Sequence, residues 1–205
     1  PADAAFQPVQ LDPASRAGVL THPYLLASFA YAKDSSPIHR GVFIARSLLG
    51  RVLRPPPDAF TPAPAELHPD LTTRERVAAQ TQPEACQKCH GLINPLGFPL
   101  ETFDAVGRLR QVENNRMINA TGSYQARTGE LVNFDGPRSL AQFLATSEEV
   151  QAAFVEKLFH AMVKQPIRAF GAETLDQLCG EFGQQDCDVK QLMVAMALLA
   201  TSRQT

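Results

Sequence analysis

Five consecutive residues, Cys86-Gln87-Lys88-Cys89-His90, place two thiols and an imidazole within about one helical turn of each other. The spacing Cys-x-x-Cys-His is the attachment pattern of a c-type haem. Two thiols must add to the two vinyl groups on one edge of a porphyrin, and the next residue must bring an imidazole beneath the iron. Two intervening residues on a helical turn put all three groups together. On this reading Cys86 and Cys89 hold one covalent haem c and His90 is the proximal axial ligand, while a second ligand or an open position sets the function. Other uses of a Cys-x-x-Cys pair fit less well. Zinc usually takes a matching second pair, and the other two cysteines, Cys179 and Cys187, have seven residues between them. A thioredoxin-like redox pair needs a βαβ setting, which this chain lacks.

Candidates for the second axial ligand are His22, His39, His68 and His160, and Met117, Met162, Met193 and Met196. Val150, Phe154, Val155, Leu158, Phe159, Ala161, Met162 and Val163 share one broad apolar arc of a helical wheel, with Met162 near its middle. A methionine there is also ordinary core filler. His160 falls on the polar side of that wheel. Met117 sits in the polar loop Glu113-Asn-Asn-Arg-Met, whereas Met193 and Met196 suit the core of a closing helix. His22 stands just before a helix, where a histidine is commonly a polar end residue, and His39 and His68 read as solvent-facing or hydrogen-bonded.

Arg40, Arg46, Arg51 and Arg54 occur with no acid between Ser35 and Pro57. Guanidinium groups bind carboxylates bidentately, so these arginines, chiefly Arg40 and Arg46, are candidates for the haem propionates. The alternative is a solvated basic helix face. Glu101 and Asp104 follow the motif closely enough to orient His90 or to cap a turn, and the Val106-Gly107-Arg108 that follows Asp104 favours the turn. No nucleophile–base pair, glycine-rich phosphate loop or paired carboxylates give a hydrolase any support. Enzymatic activity is left undecided, with an electron carrier favoured. Haem c is attached outside the cytoplasm, where disulfides persist. Cys179 is expected to end one helix and Cys187 to precede the next, so the two are expected to pair, the alternative being two buried thiols.

The elements that must position these groups read as mostly helical. The chain has 205 residues, 44% apolar and 20% charged, with net charge −2, enough for one large domain or two small ones. That balance argues against a nucleic-acid partner. The longest uninterrupted apolar run, Leu192–Ala200, is far short of the ~20 residues of a transmembrane helix. Beginning at Pro1, the chain reads as a processed or excised piece. Residues 1–17 read as an extended leader, 18–138 as a haem module interrupted by a proline-rich connector over 55–71, and 139–205 as a C-terminal helical module. Helices are expected after Pro23, over about Arg40–Arg54, from the capping box Thr72-Thr-Arg-Glu75 toward Ala85, and over Leu100–Arg108. A small β-hairpin is expected from Ser123–Arg127 and Glu130–Phe134. Helical pattern resumes at Ser139, with a second capping box at Thr146–Glu149 whose helix runs until Pro166. Two more helices cover Ala172–Phe182 and Asp188–Ser202. The expected fold is a cytochrome c-like helical haem domain with a small β-hairpin and a C-terminal helical extension.

The stretch from Pro83 to Arg108, Pro-Glu-Ala-Cys-Gln-Lys-Cys-His-Gly-Leu-Ile-Asn-Pro-Leu-Gly-Phe-Pro-Leu-Glu-Thr-Phe-Asp-Ala-Val-Gly-Arg, resembles the haem-attachment segment of the large planctomycete-type cytochrome proteins. Gly18-Val-Leu-Thr-His and Ser36-Pro-Ile-His-Arg-Gly, followed by the triple proline, are similar to the same module, and Phe154–Gly171 with Val163-Lys-Gln-Pro166 resembles the helical module that closes those chains. The C-terminal modules of those proteins are domains of unknown function. The resemblance implies a periplasmic or otherwise extracytoplasmic haem protein, the tail of a longer polypeptide, and no particular reaction. It places a histidine where His22 stands, which makes His22 the favoured distal ligand, while the helical wheel alone keeps Met162 as the alternative. It departs at Gln80, where many relatives carry a histidine. The function expected is electron transfer to a redox partner or to other domains of a larger assembly. Alternatives are a haem enzyme or ligand sensor with an open distal site, or a structural haem in an interaction module.

Overall fold

Prolines and capping side chains punctuate this chain into eight α-helices and two small antiparallel hairpins among the described residues. The computed structural model describes residues 8, 10–13, 15–54 and 69–202. Residues 1–7, 9 and 14 of the expected leader and 55–68 of the expected connector, His68 among them, fall outside these. Contacts divide the chain into two units. The first runs to Ile44 and resumes over Leu53–Phe143; the second joins Ala45–Val52 to the chain from Leu144 onward.

In the first unit, a 3-10 turn at Gly18–Thr21 leads into α1 (Pro23–Ser28), with Pro23 in the first turn and His22 as N-cap. The break expected at Ser35-Ser36-Pro37 is itself a helix start. Ser36 Oγ accepts from His39 N at 3.3 Å and opens α2 (Pro37–Phe43), which continues as a π-turn over Ile44–Leu48. The helix expected over Arg40–Arg54 is thus shorter at its C-terminal end. Thr72 and Glu75 form the reciprocal capping box and start α3 (Thr73–Gln80). It stops well before Ala85, because Thr81 turns both its N–H and its hydroxyl back onto the Val77 carbonyl. Then α4 (Glu84–Gly97) begins after Pro83 and tolerates Pro95 near its end.

The C-terminal half of α4 is the centre of this unit. Ile93, Leu96, Phe98, Leu100 and Phe103 are buried, and α2 crosses α4 with backbone against backbone. A Cβ on Gly41 would overlap the Ile93 carbonyl, and one on Gly97 would overlap the Pro37 carbonyl. The helix expected over Leu100–Arg108 is instead a 3-10 turn at Phe98–Leu100 and a loop. Asp104 Oδ1 holds that loop, accepting from Val106 N at 2.9 Å and Arg108 N at 2.8 Å.

The expected hairpin is present as β3 (Gly122–Gln125) paired with β4 (Leu131–Phe134). Tyr124 and Phe134 turn inward and meet Phe143 at ring separations of 5.7 and 5.6 Å. A second hairpin, β1 (Val112–Glu113) with β2 (Arg116–Met117), turns through Asn114 and Asn115, both left-handed at φ 50° and 60°. That pair is a favourable two-residue hairpin turn read from sequence as a polar loop.

The chain enters the second unit within α5 (Pro137–Thr146). The N-cap of the helix expected to open at Thr146 is instead Ser147. Thr146 closes α5, and Ser147 precedes α6 (Glu148–Val163) without a side-chain capping bond. Helices α7 (Thr174–Gln184) and α8 (Val189–Ser202) lie close to their expected positions. Val155, Phe159, Ile167, Leu178, Phe182, Leu192 and Met196 form the core of this unit. Lys157 Nζ donates to the carbonyls of Arg46 and Ser47, tying Ala45–Val52 to α6. No helix among the described residues is long and apolar enough to cross a membrane.

Candidate haem-attachment site

Cys86, Cys89 and His90 lie on the N-terminal half of α4 and span a ~100° arc of its surface. That half is largely exposed, at Glu84, Ala85, Gln87 and Lys88, whereas the two thiols and the imidazole are half-buried. Both cysteines are free thiols. Pro83 sets the start of the helix, and its carbonyl accepts from Cys86 N at 2.9 Å and Gln87 N at 3.1 Å. The side chain of Gln87, one of the two residues inside the motif, donates to the carbonyl of Thr81. The attachment turn is therefore anchored to the end of α3 as well as to its own helix.

His90 is held by its inner nitrogen. Nδ1 lies 2.9 Å from Asn94 Oδ1, Asn94 Nδ2 donates to Thr81 Oγ1 at 2.8 Å, and Thr81 Oγ1 donates to the Val77 carbonyl at 2.8 Å. A carbonyl only accepts, so the Thr81 hydroxyl proton is committed to Val77 and its oxygen must accept from Asn94. The amide then presents its oxygen to His90, and Nδ1 must carry the proton. In the neutral ring the lone pair is then on Nε2, the form in which imidazole binds a metal. Asn94, Thr81 and Gln87 were not singled out from the sequence. The available signal was that Asn94 lies four residues after His90, so the two share a helix face.

Arg40 is placed otherwise than expected. Its side chain is fully enclosed, and Nη1 donates to the carbonyls of Leu100 and Phe103 at 2.8 Å each, and Nη2 to that of Asp104 at 2.8 Å. It pairs with Glu101 at 3.6 Å. With Nη1 and Nη2 on protein oxygens and the whole side chain shut away from solvent, this guanidinium braces the loop after α4 and offers no surface to a propionate. Arg46 is exposed in the second unit, where its carbonyl takes the Lys157 bond, and Arg51 pairs with Glu149 at 3.9 Å. Glu101 serves Arg40, Ser35 and Arg110 rather than His90, while Asp104 caps its turn.

Burial pushes the Glu101 carboxyl from 4.5 up to about 7 against the pull of Arg40, and burial lowers Arg40 in turn. The folded protein then keeps a proton on Glu101 that the unfolded chain loses above about pH 4.5. Its contribution to stability is full below that value and falls as pH rises through about 7. Urea midpoints measured across this window should decline with pH in the parent and decline less in Glu101→Gln. Equal slopes would contradict this.

Of the distal candidates, His22 is exposed and its Nδ1 accepts from Tyr24 N at 3.3 Å, which places its proton on Nε2. It is an N-cap in the opposite tautomer to His90. Met117 is 73% exposed on β2, and His39 is exposed beside Tyr31. In the second unit Met162 packs half-buried against the core, His160 is exposed, and Met196 is buried as expected. Met193, expected in the core, is 41% exposed. Cys179 and Cys187 are free thiols, not the expected disulfide. Cys179 is half-buried with its thiol raised by burial, and Cys187 is exposed with a left-handed backbone at φ 58°.

The residues present fit a covalent haem: two free thiols on one helix face, and beside them an imidazole whose second nitrogen is spoken for. No group of three His, Cys, Asp or Glu side chains gathers around a metal position among the described residues; haem needs only one imidazole on its proximal side. No curated protein and no solved structure matches the chain. Residues 16–113, which include His22, Arg40, Thr81 and the whole attachment motif, match the family described as PSCyt3, protein of unknown function (DUF1588).

Proposed function

We propose that the chain is an extracytoplasmic mono-haem c-type cytochrome domain that transfers electrons within a larger assembly. The observation that carries this reading is the state of His90: its Nδ1 is fixed by Asn94, so Nε2 is available beside two unpaired thiols. Haem c, when bound, supplies a one-electron iron couple. Cys86 and Cys89 would tether it, and His90 would supply a nitrogen ligand to its iron. The rigid crossing of α2 and α4 fixes the helix on which all three stand. The resemblance of residues 83–108 to planctomycete-type cytochromes and the match over residues 16–113 support the same reading.

An electron carrier needs both axial positions filled, and we assign the second to His22. Its ring is exposed, so moving its proton from Nε2 to Nδ1 forfeits only the capping bond to Tyr24, about 1 kcal/mol. The purified chain should show a six-coordinate, low-spin spectrum unresponsive to carbon monoxide. His22→Ala should give high-spin iron that binds carbon monoxide once reduced, and Met162→Ala should lower stability without changing spin state. The reverse pattern would transfer the assignment to Met162. Ready binding of carbon monoxide by the parent would overturn electron transfer in favour of a ligand-binding haem.

A further inference from the structure

We propose that Asn94, oriented by Thr81, is a positioning residue that fixes the tautomer of His90 and sets how strongly its Nε2 donates to a bound iron. The inference rests on the haem reading above and adds to it the residues that tune the site. Asn94 is 6% and Thr81 5% exposed, so the amide is removed from water on the inner face of α4. A buried amide is costly unless its groups are hydrogen-bonded. Here its oxygen meets His90 and its nitrogen meets Thr81.

The direction of the relay is set at its far end. Val77 O, a helix carbonyl, accepts from the Thr81 hydroxyl, and every donor upstream must then point the same way. His22 shows what an imidazole does without such a relay: its Nδ1 accepts from a backbone N–H and its proton sits on Nε2. Two histidines in one unit are thus held in opposite tautomers by their partners.

The chemistry of the acceptor fixes the consequence. A partner on the remote N–H of a metal-bound imidazole raises the basicity of the ligating nitrogen, and a charged acceptor does so more than a neutral one. The neutral amide of Asn94 therefore holds the tautomer while leaving His90 a weaker donor than a carboxylate would make it. Greater donation favours oxidised iron. The side chain at 94 thereby selects the potential range of the domain, and Thr81 keeps the amide from flipping.

Redox titration of the haem-loaded chain and its variants tests this. Asn94→Asp should shift the oxidised-to-reduced ratio about tenfold toward oxidised, a drop of about 59 mV for one electron. Asn94→Leu should move the potential the other way, Thr81→Val should follow Asn94→Leu by less, and Thr81→Ser, which restores the hydroxyl, should return it to the parent value. If substitution at 94 prevents accumulation of folded protein, the Thr81→Val and Thr81→Ser pair decides alone. Potentials unmoved across the set, with only thermal stability lowered, would leave Asn94 a packing residue and overturn the proposal. Variants with unmoved potentials, in a parent chain that does carry haem, overturn the relay alone; a parent chain with no covalent haem overturns the haem reading and the relay with it.

Discussion

Arg40→Met should lower the stability of the fold by about 3–5 kcal/mol, the range for removing one member of a buried ion pair. Methionine replaces the aliphatic stem but none of the donors. The carbonyls of Leu100, Phe103 and Asp104 would each lose a 2.8 Å hydrogen bond in a site where Arg40 is 1% exposed, and Glu101 would lose its nearest buried counter-charge. Those carbonyls belong to the loop that leaves α4, so the effect should reach the helix that carries the motif. Urea unfolding at about pH 8, where Glu101 is ionised, gives the largest difference. Adding Glu101→Gln to Arg40→Met should recover part of the loss, because it removes a buried carboxylate left with Arg110 alone, at 3.3 Å, as counter-charge. A loss below about 1 kcal/mol would mean that the enclosed guanidinium is not a brace.

Gly97→Ala should destabilise by about 1–3 kcal/mol or more, although alanine is the better helix former by about 1 kcal/mol. The two effects have opposite signs, so the outcome separates them. Gly97 stands where α4 meets α2, and a methyl there would overlap the Pro37 carbonyl, which is backbone and cannot rotate aside. Gly91 lies on the same helix with nothing nearer its would-be Cβ than Gln87 Oε1 at 3.8 Å. Gly91→Ala should therefore be neutral or stabilising. Thermal unfolding of the two variants checks both, and a stabilising Gly97→Ala would contradict the backbone contact between the helices.

Local patterns were legible because their causes are local. Pro23 at the start of α1, the Thr72–Glu75 capping box, the alternation that makes the β3–β4 hairpin and the periodicity of α6 to α8 all act within a few residues. The attachment motif was legible for the same reason, since its three reacting groups occupy five positions. What escaped depends on partners distant in sequence. Arg40 reads as one of four surface arginines until Leu100 and Phe103, sixty-odd residues on, supply its acceptors. The Leu100–Arg108 loop is non-helical because its carbonyls turn to that guanidinium and Asp104 caps its own turn. Ala45–Val52 follows directly from α2 yet belongs to the second unit, where Lys157 binds its carbonyls. The Asn94–Thr81 bond is the same kind of event, thirteen residues apart and across a helix break.

The central claim is that this chain carries one haem on Cys86 and Cys89, and the intact mass of the denatured chain tests it most directly. Each thiol adds its S–H across one vinyl C=C, so no atom leaves and no electron is exchanged with another reactant. Produced in a periplasm with the haem-attachment machinery, the chain should exceed its sequence mass by the full mass of one haem, while the Cys86→Ser, Cys89→Ser double variant should weigh what its sequence does. A parent chain at its bare sequence mass under those conditions would contradict the account.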